Sequence, residues 1–177
     1  NIDVVLDEYS KDGERVELSE LAESITDGDH GTPPKAESGV PFITISNIDR
    51  YKHSISLGGS RFVPQEYFDG LKETRKPKLG DLLLTTNGTL GIPAVVTEQL
   101  DFSFQRDISL IRPLASIDPY WLSYSIQSAR CQNEIFSVAR GAAQQHLYLG
   151  ELRKIGIPLP VEKLQQEAVE KLRAIED

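Results

Sequence analysis

The 177-residue chain contains a single cysteine, Cys131, and no apolar run approaching the ~20 residues that a bilayer crossing requires. One thiol excludes an internal disulfide and leaves too few sulfur ligands for a structural zinc site, which fits a cytoplasmic protein. Cys131 is expected to be a helix residue. The acidic N-terminus also lacks the basic-then-apolar pattern of a signal peptide, so no membrane association is expected. The sequence starts without methionine and stops inside a charged, helix-forming stretch, and on that ground it reads as an excised fragment.

Several chemistries lack their signatures. There is no Gly-x-x-x-x-Gly-Lys-Ser/Thr phosphate loop, which removes ATP-driven translocation from this chain. No glycine-rich turn follows a strand to hold S-adenosylmethionine. Asp118-Pro119-Tyr120-Trp121 is similar to the Asp-Pro-Pro-Tyr tetrapeptide of amino-methyltransferases but lacks its second proline, and it is better explained as a helix start. His53 and His146 lie far apart with no serine or cysteine arranged for a triad. Asp27, Asp29 and His30 have a spacing that could converge on a metal ion, yet a glycine-proline loop with local hydrogen bonds explains them more simply. No catalytic residue, cofactor or metal ligand is therefore assigned, and a hydrolase built on those three residues is a distant alternative.

With 39% hydrophobic and 26% charged residues, the composition is that of a folded domain. The net charge of −8 opposes nucleic-acid binding at first sight, because phosphate contacts supply much of a DNA binder's affinity. Its distribution softens the objection. Residues 1 to 29 hold ten acids against Lys11 and Arg15, so the remainder is neutral, and residues 50 to 80 carry a local balance of +4. A basic face and a solvated mixed-charge surface are both compatible with that pattern.

Leu18, Leu21, Ala22 and Ile25 fall at helical spacing, predicting a short helix before the loop Asp27 to Pro34. Pro41 to Ser46 alternates like a strand ending at Asn47. Pro64 opens a helix burying Tyr67, Phe68 and Leu71. Leu82 to Thr86 and Ile92 to Thr97 form a hairpin through Asn87-Gly88. Ile108 to Arg112 is a strand. Asp118-Pro119 opens a helix that buries Trp121, Leu122, Ile126 and Ala129 and ends before Gly141. Ile155 to Leu159 is a last strand. Val161, Leu164, Ala168, Leu172 and Ile175 form the apolar face of a helix that needs a partner. The fold class is α+β, a single domain over residues 1–160 with a mixed, largely antiparallel sheet, followed by a helix over 161–177.

Asp27-Gly28-Asp29-His30-Gly31-Thr32-Pro33-Pro34 followed by Gly39 to Ile48 resembles the opening of a target-recognition domain in type I restriction-modification specificity subunits. Lys78-Leu79-Gly80-Asp81-Leu82-Leu83-Leu84-Thr85 and Asn87-Gly88-Thr89-Leu90-Gly91 look like that family's central Gly-Asp strand and glycine-containing hairpin. Gly141-Ala142-Ala143-Gln144-Gln145 with Leu152 to Pro160 resembles its closing segment. Each piece is weak alone, but four in the family's order are specific, and together they cover nearly everything from Val16 onward. Val161-Glu162-Lys163-Leu164-Gln165 departs from the family's proline and Glu-Gln helix start.

The resemblance implies a subunit of two such domains separated by long antiparallel spacer helices, each domain reading one half of a bipartite site in double-stranded DNA. The chain would then be a non-catalytic specificity component, assembling with methyltransferase subunits and a restriction subunit. Residues 161–177 would begin a spacer helix whose face from Val161 to Ile175 packs against its companion and the methyltransferase. An ordinary terminal helix folded back on its own core is the alternative. By physical type, the expected DNA contacts are Asn47, Arg50, Lys52 and His53; Thr86, Asn87 and Thr89; and Gln144, Gln145 and His146. Lys76 is expected on phosphate. The competing readings are a recognition domain of a fused or stand-alone DNA methyltransferase and a protein-interaction module that never touches DNA.

Overall fold

The protein is described by a computed structural model covering residues 1–11, 14–141 and 143–176. Ala142 of the closing motif and Asp177 at the chain's end lie outside the described residues.

The chain opens with helix α1 (Ile2–Tyr9) and strand β1 (Glu14–Glu17), then passes through a 3-10 turn at Leu18–Leu21 into β2 (Ala22–Asp27). After the 27–36 loop come β3 (Val40–Ile43), the short pair β4 (Ile48–Asp49) and β5 (Ser54–Ile55), β6 (Arg61–Val63) and helix α2 (Gln65–Asp69). The central strands are β7 (Leu82–Thr85), β8 (Pro93–Val95), β9 (Ser103–Phe104) and β10 (Ile108–Pro113). Helices α3 (Pro119–Gln127), α4 (Ala129–Val138) and α5 (Leu149–Leu152), strand β11 (Gly156–Leu159) and helix α6 (Glu162–Glu176) complete it.

The main sheet has the order β2-β10-β7-β8 and is antiparallel throughout. A second sheet, β6-β3-β9, contains a parallel pairing of β3 with β9, so the mixed, largely antiparallel α+β class stands. The inner part of the main sheet is buried on both faces, which is why β7 and β8 read as apolar runs. Leu82, Leu84 and Ile111 pack with Leu122, Ile126, Cys131 and Ile135 on the helical side. Leu83, Ala94, Ile108 and Leu110 pack with Ile43, Phe102 and Phe104 on the other.

Three local expectations hold for the reasons given. Gly88 and Gly91 adopt φ of 68° and 78° in the connection between β7 and β8. Asp118 caps α3, its carboxylate accepting from the Tyr120 and Trp121 amides, with Pro119 at the first position. Cys131 is a buried residue of α4.

Others are corrected. The helix expected over 18–25 is a 3-10 turn followed by β2, because Ile25 pairs opposite Ile111 and an edge of the main sheet outbids a short helical pattern. The helix expected from Pro119 to Gly141 breaks at Ser128, which is extended and caps α4 by accepting from the Cys131 amide. Ala129, just beyond that cap, is exposed rather than buried. Helix α1 and strand β1 were not foreseen; Val5 and Leu6 are buried and β1 pairs with β11.

The face of α6 is also partly corrected. Ala168 and Leu172 are buried among Val5, Leu6, Trp121 and Tyr124, so they join the domain's own core and present no surface to a companion helix. Val161, Leu164 and Ile175 are exposed at 69%, 37% and 58%. Gln165 secures the helix start, its carbonyl oxygen accepting from the Asp118 amide and its amide donating to the Pro160 carbonyl.

Arg112 and Asp81 form a buried ion pair, with Nε to Oδ1 at 3.0 Å and Nη2 to Oδ2 at 2.8 Å. The pairing raises the Arg112 pKa above its ordinary value. Arg112→Met would leave the Asp81 carboxylate buried without its partner, and the urea-unfolding free energy is expected to fall by about 3–5 kcal/mol. Burial pushes the Cys131 thiol up to about 12 from an ordinary 9.0. The folded state therefore holds that proton where the unfolded chain has lost it, and its stability falls as pH rises across that window. The difference in unfolding free energy between the wild type and Cys131→Ala should accordingly shift against the wild type from pH 9 toward 12.

Candidate nucleic-acid interface

Four loops converge beyond one end of the main sheet and enclose a cleft of about 660 Å³. Backbone hydrogen bonds tie them together. The 27–30 loop is held to the turn after β9, with Gly28 N donating to Ile108 O, Asp29 N to Phe104 O and Arg106 N to Asp29 O at 3.1–3.2 Å. The connection after β7 is held to the same turn by Thr86 N donating to Asp107 O at 2.8 Å. The segment before α5 joins through Leu147 N donating to Thr86 O at 2.8 Å, while His146 exchanges two backbone bonds with Arg140.

Glycines permit these approaches. A Cβ on Gly28 would stand 2.2 Å from Phe104 O and 2.4 Å from Gln105 O. Gly141, at φ 121°, would place a Cβ 2.2 Å from Gln144 O, so the closing motif's glycine is required by the turn it makes.

The predicted contact residues separate into groups. Thr86, Asn87, Gln144 and His146 line the cleft together, with Thr89 and Gln145 exposed nearby in sequence. Asn87 is largely spent on the scaffold: its amide donates to Asp107 Oδ1 at 2.9 Å and its oxygen accepts from Gly88 N. Thr86 is buried. The His146 ring stands edge-on to Tyr148 at 4.4 Å between centroids.

Arg50, Lys52 and His53 occupy the turn between β4 and β5. The Asp49 carboxylate accepts from the Tyr51 and Lys52 amides, and those bonds lower its pKa. Arg50 lies over the exposed Tyr51 ring, while Lys52 and His53 line a separate cleft beside Tyr120 and Arg173. His53 sits at φ 50° with its ring bonded to the Pro93 carbonyl.

Asn47 and Lys76 are both engaged by neighbouring groups of the fold. The Asn47 amide oxygen accepts from Thr44 N and its nitrogen donates to Ser56 O and Ser60 Oγ. The Lys76 ammonium is held by Glu73 and by the Asp69 carbonyl, above the Phe68 ring. Asp27, Asp29 and His30 are likewise engaged: Asp27 with His30 at 2.7 Å, and both carboxylates with Arg75. Asp29 also receives the Tyr67 hydroxyl, and burial together with that bond raises the Tyr67 pKa.

Residues 10–177 match the family model for the type I restriction modification DNA specificity domain. The chain belongs to this family. No curated protein matches it in sequence. In structure, the specificity domain is similar to the HsdS subunit from Thermoanaerobacter tengcongensis, with a TM-score of 0.69 and 19% identity over 99% of this chain and 42% of that one. A chain from a type I R-M system studied for complex assembly and conformational transition gives 0.70 and 18% over 98% and 43%. The type IIG restriction endonuclease BpuSI gives 0.66 and 10% over 97% and 28%. The specificity domain thus spans less than half the length of each structure, and at these identities the likeness is one of fold. Among the described residues no helix is long and apolar enough to cross a membrane.

Arg106, Ser109 and Tyr148 also line the cleft and were missed by sequence reasoning. The one available signal was the polar triplet Gln105-Arg106-Asp107 between the apolar Phe104 and Ile108. Gly28→Ala should force the 27–30 loop away from the 104–106 turn, costing about 1–3 kcal/mol as overpacking does elsewhere. Hydrogen exchange would then quicken at the Asp29 and Arg106 amides, with the β1–β11 ladder unchanged.

Proposed function

We propose that this specificity domain reads one half of a bipartite site in double-stranded DNA and carries no catalytic group of its own, directing methyltransferase and restriction subunits to that site. The observation that carries this reading is the cleft. Its loops are locked to one another by backbone bonds, while its walls offer hydrogen-bonding side chains of both polarities: the Gln144 amide, the His146 ring and the Tyr148 hydroxyl. Base edges are told apart by donor and acceptor patterns, and a rigid frame keeps such a pattern from adapting to the wrong base.

The net charge is compatible with this role because many acids are used inside the protein. Asp3 accepts from the Ala129 amide at the start of α4, and Glu8 pairs with Lys171 of α6 at 2.7 Å. Neither lines the cleft. Arg50 and Lys52, on a turn organised by Asp49, are suited to hold phosphates and fix register. Val161, Leu164 and Ile175 remain as the outward part of the α6 face for a partner subunit.

A second reading, the recognition module of a single-chain restriction enzyme, is favoured by the fold likeness to a type IIG endonuclease. The chain's covalent neighbours in the full-length protein distinguish the two.

The test is selection from a randomised DNA pool at moderate salt by the full-length subunit assembled with its methyltransferase. The selection is repeated after exchanging residues 16–160 for another such domain. One half of the enriched bipartite site should change with the exchange; half-sites that stay the same would make the domain's role structural. Within that complex, Arg50→Ala or Lys52→Ala should weaken all sequences alike and lower the salt slope by roughly one each.

A further inference from the structure

Arg106 differs from the other charged groups around the cleft in having no hydrogen bond or ion pair from its side chain to any described residue, although acids stand close in sequence and in space. Those acids are taken. Asp107 accepts from Asn87, and Asp27 is shared by His30 and Arg75. The Arg106 backbone is nevertheless fixed: its amide donates to Asp29 O, and the residues beside it are held by Ile108 N to Gln105 O at 3.0 Å and Thr86 N to Asp107 O at 2.8 Å. A free guanidinium is therefore mounted on a hydrogen-bonded turn at the meeting point of two loops.

A phosphate contact would need only positive charge, and clefts that track a DNA backbone gather lysines and arginines. Among the described residues no lysine lines this one. The groups around Arg106 include the Gln144 amide, the Tyr148 hydroxyl and the Ser109 hydroxyl. Ser109 is 1% exposed, and its Oγ has no hydrogen-bond partner among the described residues. At that burial the hydroxyl belongs to the wall of the cleft rather than to the groups a ligand can reach. The surroundings are those of a polar pattern rather than a cationic track.

Guanidinium has five donors in a planar fork and no acceptor. In the major groove only guanine presents two adjacent acceptors, N7 and O6; adenine pairs one acceptor with a donor, cytosine offers a donor, and thymine one acceptor beside a methyl group. We infer that Arg106 is a specificity-determining residue that reads a guanine in the half-site through N7 and O6, with Asn87 and Asp107 as positioning residues that hold its turn. This inference rests on the DNA-reading function proposed above.

The experiment is the same randomised-pool selection with the full-length subunit and its methyltransferase, carried out for wild type, Arg106→Lys and Arg106→Ala. The Arg106 side chain is exposed and bonded to no described residue, so both variants should keep the wild-type thermal midpoint, which is measured alongside. The wild type should enrich a half-site containing a guanine. Both variants should lose preference at that one position by roughly 10- to 100-fold and keep preference elsewhere. Arg106→Lys keeps the charge but not the fork, so it should also keep the wild-type salt slope. A uniform loss across all sequences with a flatter salt dependence would make Arg106 a phosphate contact and overturn the inference. An unchanged half-site, or relaxation at a position that is not guanine, would overturn it too. A wild type that enriches no half-site in this domain's portion would instead overturn the DNA-reading function itself, and the assignment of Arg106 with it.

Discussion

The arrangement of the domain depends on one buried ion pair. Asp81, 3% exposed at its side chain, accepts both arms of Arg112 and also the Lys78 amide. Arg112 spends two further donors on the Glu73 and Lys76 carbonyls. Two strands of the main sheet and the irregular segment 73–78 are thereby joined through a single guanidinium. A buried pair of this kind is best tolerated when its other hydrogen-bonding positions are also filled, and here four of the five guanidinium donors are bonded. The consequence reaches the cleft: the segment so held carries Arg75, which lies against Asp27 and Asp29 at the start of the 27–30 loop.

The cleft itself divides its polar groups between two tasks. Holding loops in place consumes backbone groups and a few side chains, among them Asn87 and Asp107. The residues lining the cleft whose side chains make no hydrogen bond to a described residue include Arg106, Gln144, His146 and Tyr148. The division follows from the cost of leaving polar groups unmatched: a side chain that closes a turn cannot also meet a ligand without opening it. The residue types that suit base contacts, asparagine and threonine above all, are the same types that close turns, so type by itself does not separate the two.

Electrostatics show the same dependence on place. The chain's net charge of −8 says little about the cleft, because acids of α1 cap one helix and pair with another, and those of the 27–30 loop are held by Arg75 and His30. Lys76 is neutralised locally by Glu73, whose carboxylate pKa is lowered by that contact. The excess of +4 over residues 50 to 80 is thus reduced to the few cations that keep a free head, of which Arg50 and Lys52 stand on one turn.

Much of the architecture was legible in the chain. The apolar run at Leu82–Leu84, the β-branched segment Ile108–Ile111, Asn87-Gly88 between two β-prone segments and Asp118-Pro119 before a helix are signals whose physics is local, and each formed what it implied. The order of four motifs carried the family. Contacts distant in sequence decided the rest. Ile25 became a strand residue because Ile111 lies opposite it, Ala168 and Leu172 turned inward because the weakly apolar α1 covers them, and Asn47 and Lys76 were claimed by neighbours brought up by the fold. Arg106 had no periodicity or motif to mark it. Its freedom is a property of which partners the carboxylates around it had already taken, and only the tertiary structure sets that.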